Sequence, residues 1–373
     1  MSVPPFRAEH IGSLLRPKPL MALRRQIAAG EPVAEELARA EDAAIRDAVA
    51  MQQRVGLKLA TDGEFRRQAY HSYFYAQLGD VSLEAPAHAG AAGTSATAAG
   101  PTRGAQPLAT IKSRLNWTRP IHAGDLALLK SLTNAVPKIT IPGPCALHFR
   151  GGDAAILAHA YRDTGQFWDD IVSAFQSELT ALASAGCTYV QIDETAFAKF
   201  GDPAVQATLK ARGEDWSTVI DSYIAITNRV LAGAPSEMRI GMHLCRGNRG
   251  GQFHAEGSYD VVAERLFNAL DIGFFFLEYD SPRAGDFSAL RLVPKGKQIV
   301  LGLVSTKSGK LESKDDLKRR IDEAGCHIDL DRLAISPQCG FASIDTGNPL
   351  SEAEQEAKLR LVVDTAREVW GTA

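Results

Sequence analysis

Two periods of hydrophobic residues alternate along this chain. Short apolar runs, bounded by glycine, proline or polar residues, read as buried strands. The stretches after most of them place apolar residues three and four apart, as a helix covering a sheet must. The strand candidates are Ala8–Ser13, Leu57–Asp62, Lys138–Ile141, Thr188–Ile192, Ile240–Leu244, Phe274–Leu277, Gln298–Leu303 and Leu333–Ile335. Helices are predicted over Ala34–Val55, Phe167–Ala185 and Trp216–Leu231, and around Val261, Val262, Leu266 and Leu270 after a Ser258 cap. Asp202-Pro203 supplies an N-cap and a first-turn proline. Ser313 with Asp316, and Ser351 with Glu354, have capping-box spacing before the helices that run to Ala324 and to about Trp370.

Eight strands alternating with helices predict an α/β fold, a (β/α)8 TIM barrel. The rival is an open doubly wound sheet, but the glycine-rich phosphate fingerprint that commonly marks it is missing. Residues 86–104 are rich in Ala, Gly, Ser and Thr, which cannot build a core, and read as a mobile surface excursion. From Ile111 to Ile121 the pattern alternates, as a hairpin arm would. Residues 86–122 are therefore taken as a loop or hairpin insertion after strand two, within a single domain over 1–373.

Composition narrows the function classes. Net charge is −3, from 41 basic and 44 acidic residues, so nothing suggests an electrostatic grip on nucleic acid or an acidic membrane. No apolar run reaches the roughly 20 residues of a membrane span, and the N-terminus lacks a signal-peptide core. A cytoplasmic location is the default, with a small-molecule substrate and room for a homo-oligomer. The 5 cysteines are odd in number and scattered, which argues against a disulfide framework.

The chemistry concentrates at strand ends. In Ile240-Gly241-Met242-His243-Leu244-Cys245-Arg246-Gly247-Asn248 an apolar run breaks at a His and a Cys two apart. On an extended segment both face one side, within reach of one ion. The other strand ends contribute Ser13, Asp62 with Glu64, Asp193, Glu278, Ser305 with Lys307, and Cys339. His243, Cys245, Glu278 and Cys339 make a sensible Zn2+ set, spread over three strand ends as catalytic sites are. The plainer alternative is that these residues pack as buried thiols and a salt-bridged carboxylate. Glu64, Asp193 and Asp62 suit an ammonium group, or else pair with Arg66 and Arg246.

These motifs resemble the catalytic barrel of cobalamin-independent methionine synthase. His10-Ile11-Gly12-Ser13, Asp62-Gly63-Glu64, Gly143-Pro144, Gln191-Ile192-Asp193-Glu194, the His-x-Cys before Gly-Asn, the strand-ending Glu278 and Cys339-Gly340 follow that family's order. The resemblance implies zinc at His243, Cys245, Glu278 and Cys339, and homocysteine's amino-acid part on Ser13, Glu64 and Asp193. It implies methyl transfer from a 5-methyltetrahydrofolate-type donor to homocysteine. There are departures. Where the family has Asp-x-His-Ser with a proton-donating His, this chain has Val304-Ser305-Thr306-Lys307-Ser308, so Lys307 stands in as the catalytic acid. The segment Cys145–Arg150 lacks the Trp that the synthase places near folate. The single barrel also looks like the short-chain branch that includes epoxyalkane:coenzyme M transferases, in which zinc activates another thiol to open an epoxide. Lys307, Arg246 and Arg249 would then serve a sulfonate.

Overall fold

The computed structural model describes residues 5–84 and 108–373. Six strands form one parallel sheet in the spatial order Leu333–Pro337, Gln298–Val304, Phe274–Glu278, Arg239–Leu244, Tyr189–Asp193 and Ile139–Pro142. Every neighbour in space is also the neighbour in sequence. An open doubly wound sheet reverses its order at a switch point, and these strands show no reversal. Leu59–Ala60 pairs in parallel with Val136–Pro137, which leads through Lys138 into the sixth strand. Ala8 makes a parallel bridge to Ile335. Further on, Thr61 Oγ1 donates to Gly12 O (2.8 Å) and Leu14 N to Gly63 O (3.0 Å). Residues 8–14 are thus bonded to the last strand on one side and to the second strand segment on the other.

Strand parity separates two apolar clusters. Val190, Ile192, Met242, Leu244, Phe275, Leu277, Ile299, Leu301 and Ile335 join the larger core with the helices. The alternate positions Tyr189, Phe274, Phe276, Val300 and Ala334 meet Phe6, Ile11 and Leu59 in a second cluster. A parallel sheet buried on both faces needs near-continuous apolar strands, which explains why the runs were conspicuous in the sequence. Asp193, His243 and Glu278 share the parity of the second cluster and lie at the carboxyl ends of their strands.

Local signals fared unevenly. Asp202 caps the Pro203–Ala211 helix by accepting from Ala204 N, and Ser351 with Glu354 forms a complete capping box. Ser313 sits at its N-cap but makes no side-chain cap bond. The cap position predicted at Ser258 falls on Tyr259, although Ser258 Oγ still accepts from Asp260 N. The first two strand candidates are largely irregular: only Ala8, in its bridge, and Leu59–Ala60 pair.

The antiparallel partners are Val81–Glu84 and Leu108–Ile111, so the hairpin arm expected from Ile111 to Ile121 is a correction. Residues 112–121 carry no strand: Leu115 N donates to Tyr161 Oη, Asn116 N to Leu78 O and Ile121 N to Glu178 on the Thr164–Ser184 helix, which also accepts from His122 N and Trp117 Nε1. The low-complexity part of the insertion, 86–104, lies outside the described residues. Helices over Lys18–Ala28, Ala123–Leu132 and Ala146–Leu157 were not anticipated; the last is kinked at Gly152, with φ 64°. Among the described residues no helix is long and apolar enough to cross a membrane.

Candidate active site

Register brings the first residues together. Asp193 and His243 are paired neighbours on adjacent strands, and His243 in turn pairs with Phe276, two residues before Glu278. Cys245 lies just past the end of its strand, and Cys339 just past the end of the last. One ligand atom each from His243, Cys245 and Cys339 falls within 4.8 Å of the others, and all three residues are buried. The two sulfurs are 3.9 Å apart. Neither ring nitrogen of His243 has a hydrogen-bond partner. Two sulfurs on a tetrahedral zinc, each at ~2.3 Å, would be ~3.8 Å apart. Two thiols and an orphaned imidazole therefore fit a zinc donor set.

The charges within the trio are coupled. Cys245 is held well below the usual thiol range, chiefly by the hydrogen bond from Cys339, with the nearby His243 ring helping against burial. Cys339, which keeps the proton, is pushed up by the same bond and by burial. Burial pulls His243 down, but the Cys245 charge outweighs it and the net shift is upward.

Glu278 lies beside this trio but outside it. Its Oε2 accepts from Arg246 N at 2.6 Å, and its Oε1 accepts from Lys307 Nζ at 3.0 Å and from Arg283. Burial would raise this carboxyl; Lys307, Arg283 and Arg246 together hold it below the usual range. Lys307 also reaches Asp280 Oδ2 at 2.9 Å. Burial lowers the Lys307 ammonium, but Glu278 and Asp280 reverse this and leave its pKa raised. Arg246 spends its guanidinium on the carbonyls of Gly257, Glu278 and Ala284. Neither Lys307 nor Arg246 is a spare cation.

Ser13, Glu64 and Asp193 line a recess of about 20 Å3 with His243, Cys245 and Cys339. That is space for one small polar group. Asp193 accepts from Gln191 Nε2 at 2.7 Å. Burial pushes its carboxyl up to about 7, against the pull of His243 and with a push from Glu64. Glu64 Oε1 accepts from Thr140 Oγ1 at 2.9 Å, while Oε2 is buried without a partner. Arg67, not Arg66, is its cationic neighbour, at 3.9 Å; Arg66 serves Asp42 and Asp125. Glu64 is also the non-glycine residue with positive φ among the described residues, at 60°. Such strain persists where surrounding structure enforces it, commonly at binding sites. Asp62 turns to Glu64 N and does not line the recess. A Cβ at Gly340 would sit 1.9 Å from Ser13 Oγ, so glycine there lets the two loops meet. Asn248 ties the loop after Cys245 to the Gly340 loop, donating to Thr306 Oγ1 and Gly340 O.

A larger cavity of about 360 Å3 shares Tyr70, Thr195, Cys245 and Ser343 with the recess. Its other lining residues include Arg150, Lys199, Arg249 and His254. Only Arg249 of these had been singled out. Arg150 follows the Gly143-Pro144 strand end, a weak positional signal, and Lys199 lies on a 3-10 turn that no pattern marked. Of the remaining cysteines, Cys145 and Cys187 are buried and Cys326 is exposed.

Fold and site together define an α/β protein whose polar chemistry converges at the carboxyl ends of parallel strands, around a soft-donor cluster. The chain belongs to the family of the cobalamin-independent synthase catalytic domain, which matches residues 6–368. The YxjH protein of Bacillus subtilis, whose function is uncharacterized, is 40% identical over 98% of this chain and 95% of its own. The methionine synthase of Pyrococcus abyssi is 22% identical over 92% of this chain and 89% of its own. A crystal structure of a putative vitamin-B12-independent methionine synthase from Listeria monocytogenes is 33% identical, with a TM-score of 0.76 and full coverage of both chains. The B12-independent synthase from Shewanella sp. W3-18-1 shares the fold at 20% identity, TM-score 0.72, over 98% of this chain and 97% of its own. The family and these neighbours indicate a methionine-synthase-like transferase acting on small molecules.

Proposed function

We propose that this protein is a zinc-dependent thiol alkyltransferase, built as one (β/α)8 barrel domain with the 86–122 segment as an insertion. The most direct reading is methyl transfer from a 5-methyltetrahydrofolate-type donor to homocysteine, giving methionine. The observation that carries it is the convergence of His243, Cys245 and Cys339 beside a recess lined by Glu64 and Asp193. His243, Cys245 and Cys339 would hold the metal, with Glu278 as the exchangeable fourth donor. Zinc, when bound, lowers the pKa of a coordinated thiol and so supplies a strong nucleophile near neutral pH.

The chain's own residues do the rest. Glu64 and Asp193 receive the substrate ammonium; the unpartnered Glu64 Oε2 is the acceptor free to do so. The ammonium would also draw Asp193 into its charged form, because an opposite charge favours ionisation. Ser13 offers its hydroxyl to the amino-acid head. The recess holds the ammonium still and leaves Cys245 facing the larger cavity, where the alkyl donor sits for in-line attack. Lys307 acts through Glu278: its ammonium is engaged by Glu278 and Asp280, so its part is to hold the carboxylate. The leaving group takes its proton from the buffered solvent that reaches the cavity.

The test is metal analysis of wild type, Cys245→Ser and Cys339→Ser, followed by turnover of homocysteine with 5-methyltetrahydrofolate. One zinc per chain, lost in both variants together with methionine formation, supports the reading. Metal content unchanged by both substitutions ends it. The cationic cavity favours a second reading, addition of an activated thiol to an epoxide, as in the epoxyalkane:coenzyme M transferases. Turnover of 2-mercaptoethanesulfonate with an epoxide and none of homocysteine would select it.

A further inference from the structure

Among the described residues most buried cations are matched. Lys138 meets Glu9 at 3.2 Å, Lys358 meets Glu312 at 2.9 Å and Arg67 lies 3.9 Å from Glu64. Arg16 has no acid beside it but gives four bonds to backbone carbonyls. Arg150 and Lys199 have neither an acid nor such a set of carbonyls. Arg150 is 8% exposed and Lys199 3%. The Arg150 guanidinium donates to Ala146 O at 3.1 Å and to Tyr70 Oη at 3.3 Å, and its Nε has no partner. Lys199 Nζ makes a long contact to Thr195 Oγ1, 3.5 Å, and lies over the Phe149 ring. Among the described residues, neither has a carboxylate within ion-pair reach. Glu194, the acid whose charge both feel, is engaged by the backbone N–H groups of Cys145 and Ala196.

Burying a charge without a counter-charge is unfavourable. Lys199 is drawn down to about 8 by burial and by Arg150, and His254 to about 3 by burial and the surrounding cations. Both cations line the 360 Å3 cavity that adjoins Cys245, and Arg249 adds a third to its wall. A cavity of this order suits a small-molecule ligand, with convergent polar groups to orient it. Across Cys245 lies the recess with Glu64 and Asp193. The two spaces that meet at this sulfur thus carry opposite charge.

Resting on the thiol-transfer reading of the neighbouring cluster, we propose that the cavity binds the alkyl donor through an anionic head group, a carboxylate or sulfonate, seated on Arg150 and Lys199. The acidic recess takes the amine of the thiol substrate and the basic cavity takes the acid of its partner. Swapping the two would put like charges together in both spaces, so the pair of sites also sorts the substrates. A guanidinium presents parallel N–H donors to such an oxyanion, and the free Arg150 Nε is one of them.

The experiment measures binding without turnover. N-(4-aminobenzoyl)-L-glutamate, its neutral bis-amide and 2-mercaptoethanesulfonate are titrated calorimetrically into wild type, Arg150→Gln, Lys199→Met and the charge-preserving Arg150→Lys and Lys199→Arg. The dianion should bind at least ~10-fold more tightly than the bis-amide, by analogy with the loss when one charged partner is removed. Arg150→Gln and Lys199→Met should each abolish most of that difference, and the charge-preserving pair should restore part of it. Thermal unfolding checks that each variant is folded.

Dianion binding that persists in metal-free Cys245→Ser assigns the anion to the donor, as proposed. If only 2-mercaptoethanesulfonate binds, and only in zinc-loaded protein, the anion belongs to the thiol and the proposal falls. Equal binding of dianion and bis-amide, indifference to both charge-removing variants, or no binding of any anion overturns it. The thiol reading is judged separately, on zinc content and thiol alkylation. A dianion site on a protein without zinc would sink that reading and leave this site standing.

Discussion

Replacing Lys307 by methionine distinguishes a structural cation from a proton donor. Its Nζ lies 3.0 Å from Glu278 Oε1 and 2.9 Å from Asp280 Oδ2, with Glu278 and Asp280 side chains 0% and 3% exposed. Methionine keeps the length of the stem and removes the charge, leaving two buried carboxylates against Arg283. Breaking a buried pair typically costs about 3–5 kcal/mol. Arg283 still contacts both acids, so the loss should fall near the lower end, about 3 kcal/mol. Urea unfolding of the metal-free protein at neutral pH reads this directly. A cycle with Asp280→Asn should show coupling of about 1–2 kcal/mol, since the partners are in contact. Lys307→Arg should recover most of the stability. A Lys307→Met protein within about 0.5 kcal/mol of wild type, the range of an ordinary surface change, would refute the ion-pair account. Loss of turnover with stability intact would return Lys307 to the role of acid.

Other expectations follow from the same contacts. His10 is buried, its Nε2 bonded to Gln52 at 2.9 Å, and burial draws its pKa down to about 3. The unfolded chain therefore binds the proton first. Stability should fall with pH below the unfolded value of about 6.5, by about 1.4 kcal/mol per pH unit for this one group. His10→Gln should flatten that slope in denaturation series between pH 6 and 4; an unchanged slope counts against it. Glu178 accepts three N–H donors, so Glu178→Gln leaves one facing an amide NH2 and should cost about 2 kcal/mol in unfolding free energy. A loss below about 0.5 kcal/mol would show that the segment before His122 is anchored elsewhere. Gly12 has φ 138°, and its Cβ would lie 2.7 Å from Thr140 Cγ2 and 3.1 Å from Glu64 Oε1. Gly12→Ala should cost about 1–3 kcal/mol and raise the KM for the amine-bearing substrate more than it lowers kcat.

The strand pattern was legible because strands buried on both faces must be apolar throughout, and their polar ends stand out against that background. His243, Cys245, Cys339, Glu64 and Asp193 were visible for that reason, and side-chain parity alone placed His243 and Cys245 on one side. The hairpin was misplaced because alternation in 111–121 looks the same whether a strand partner or side chains such as Tyr161 and Glu178 take the backbone N–H groups. Which arginine neighbours the acids was not legible: Arg66 turns outward to Asp42 and Asp125, while Arg67 faces Glu64.

What the chain's order of residues determined by itself was the family, the α/β alternation and the short-range chemistry of each strand end. Whether Glu278 stood among the sulfurs or beside them depended on Arg283 and Lys307, 5 and 29 residues away. The cationic cavity had only faint linear signatures, Arg249 after the His-x-Cys run and Arg150 after Gly143-Pro144. Arg150 and Lys199 matter because of what is missing around them, and the absence of a counter-charge is a property of packed space that only tertiary structure can create.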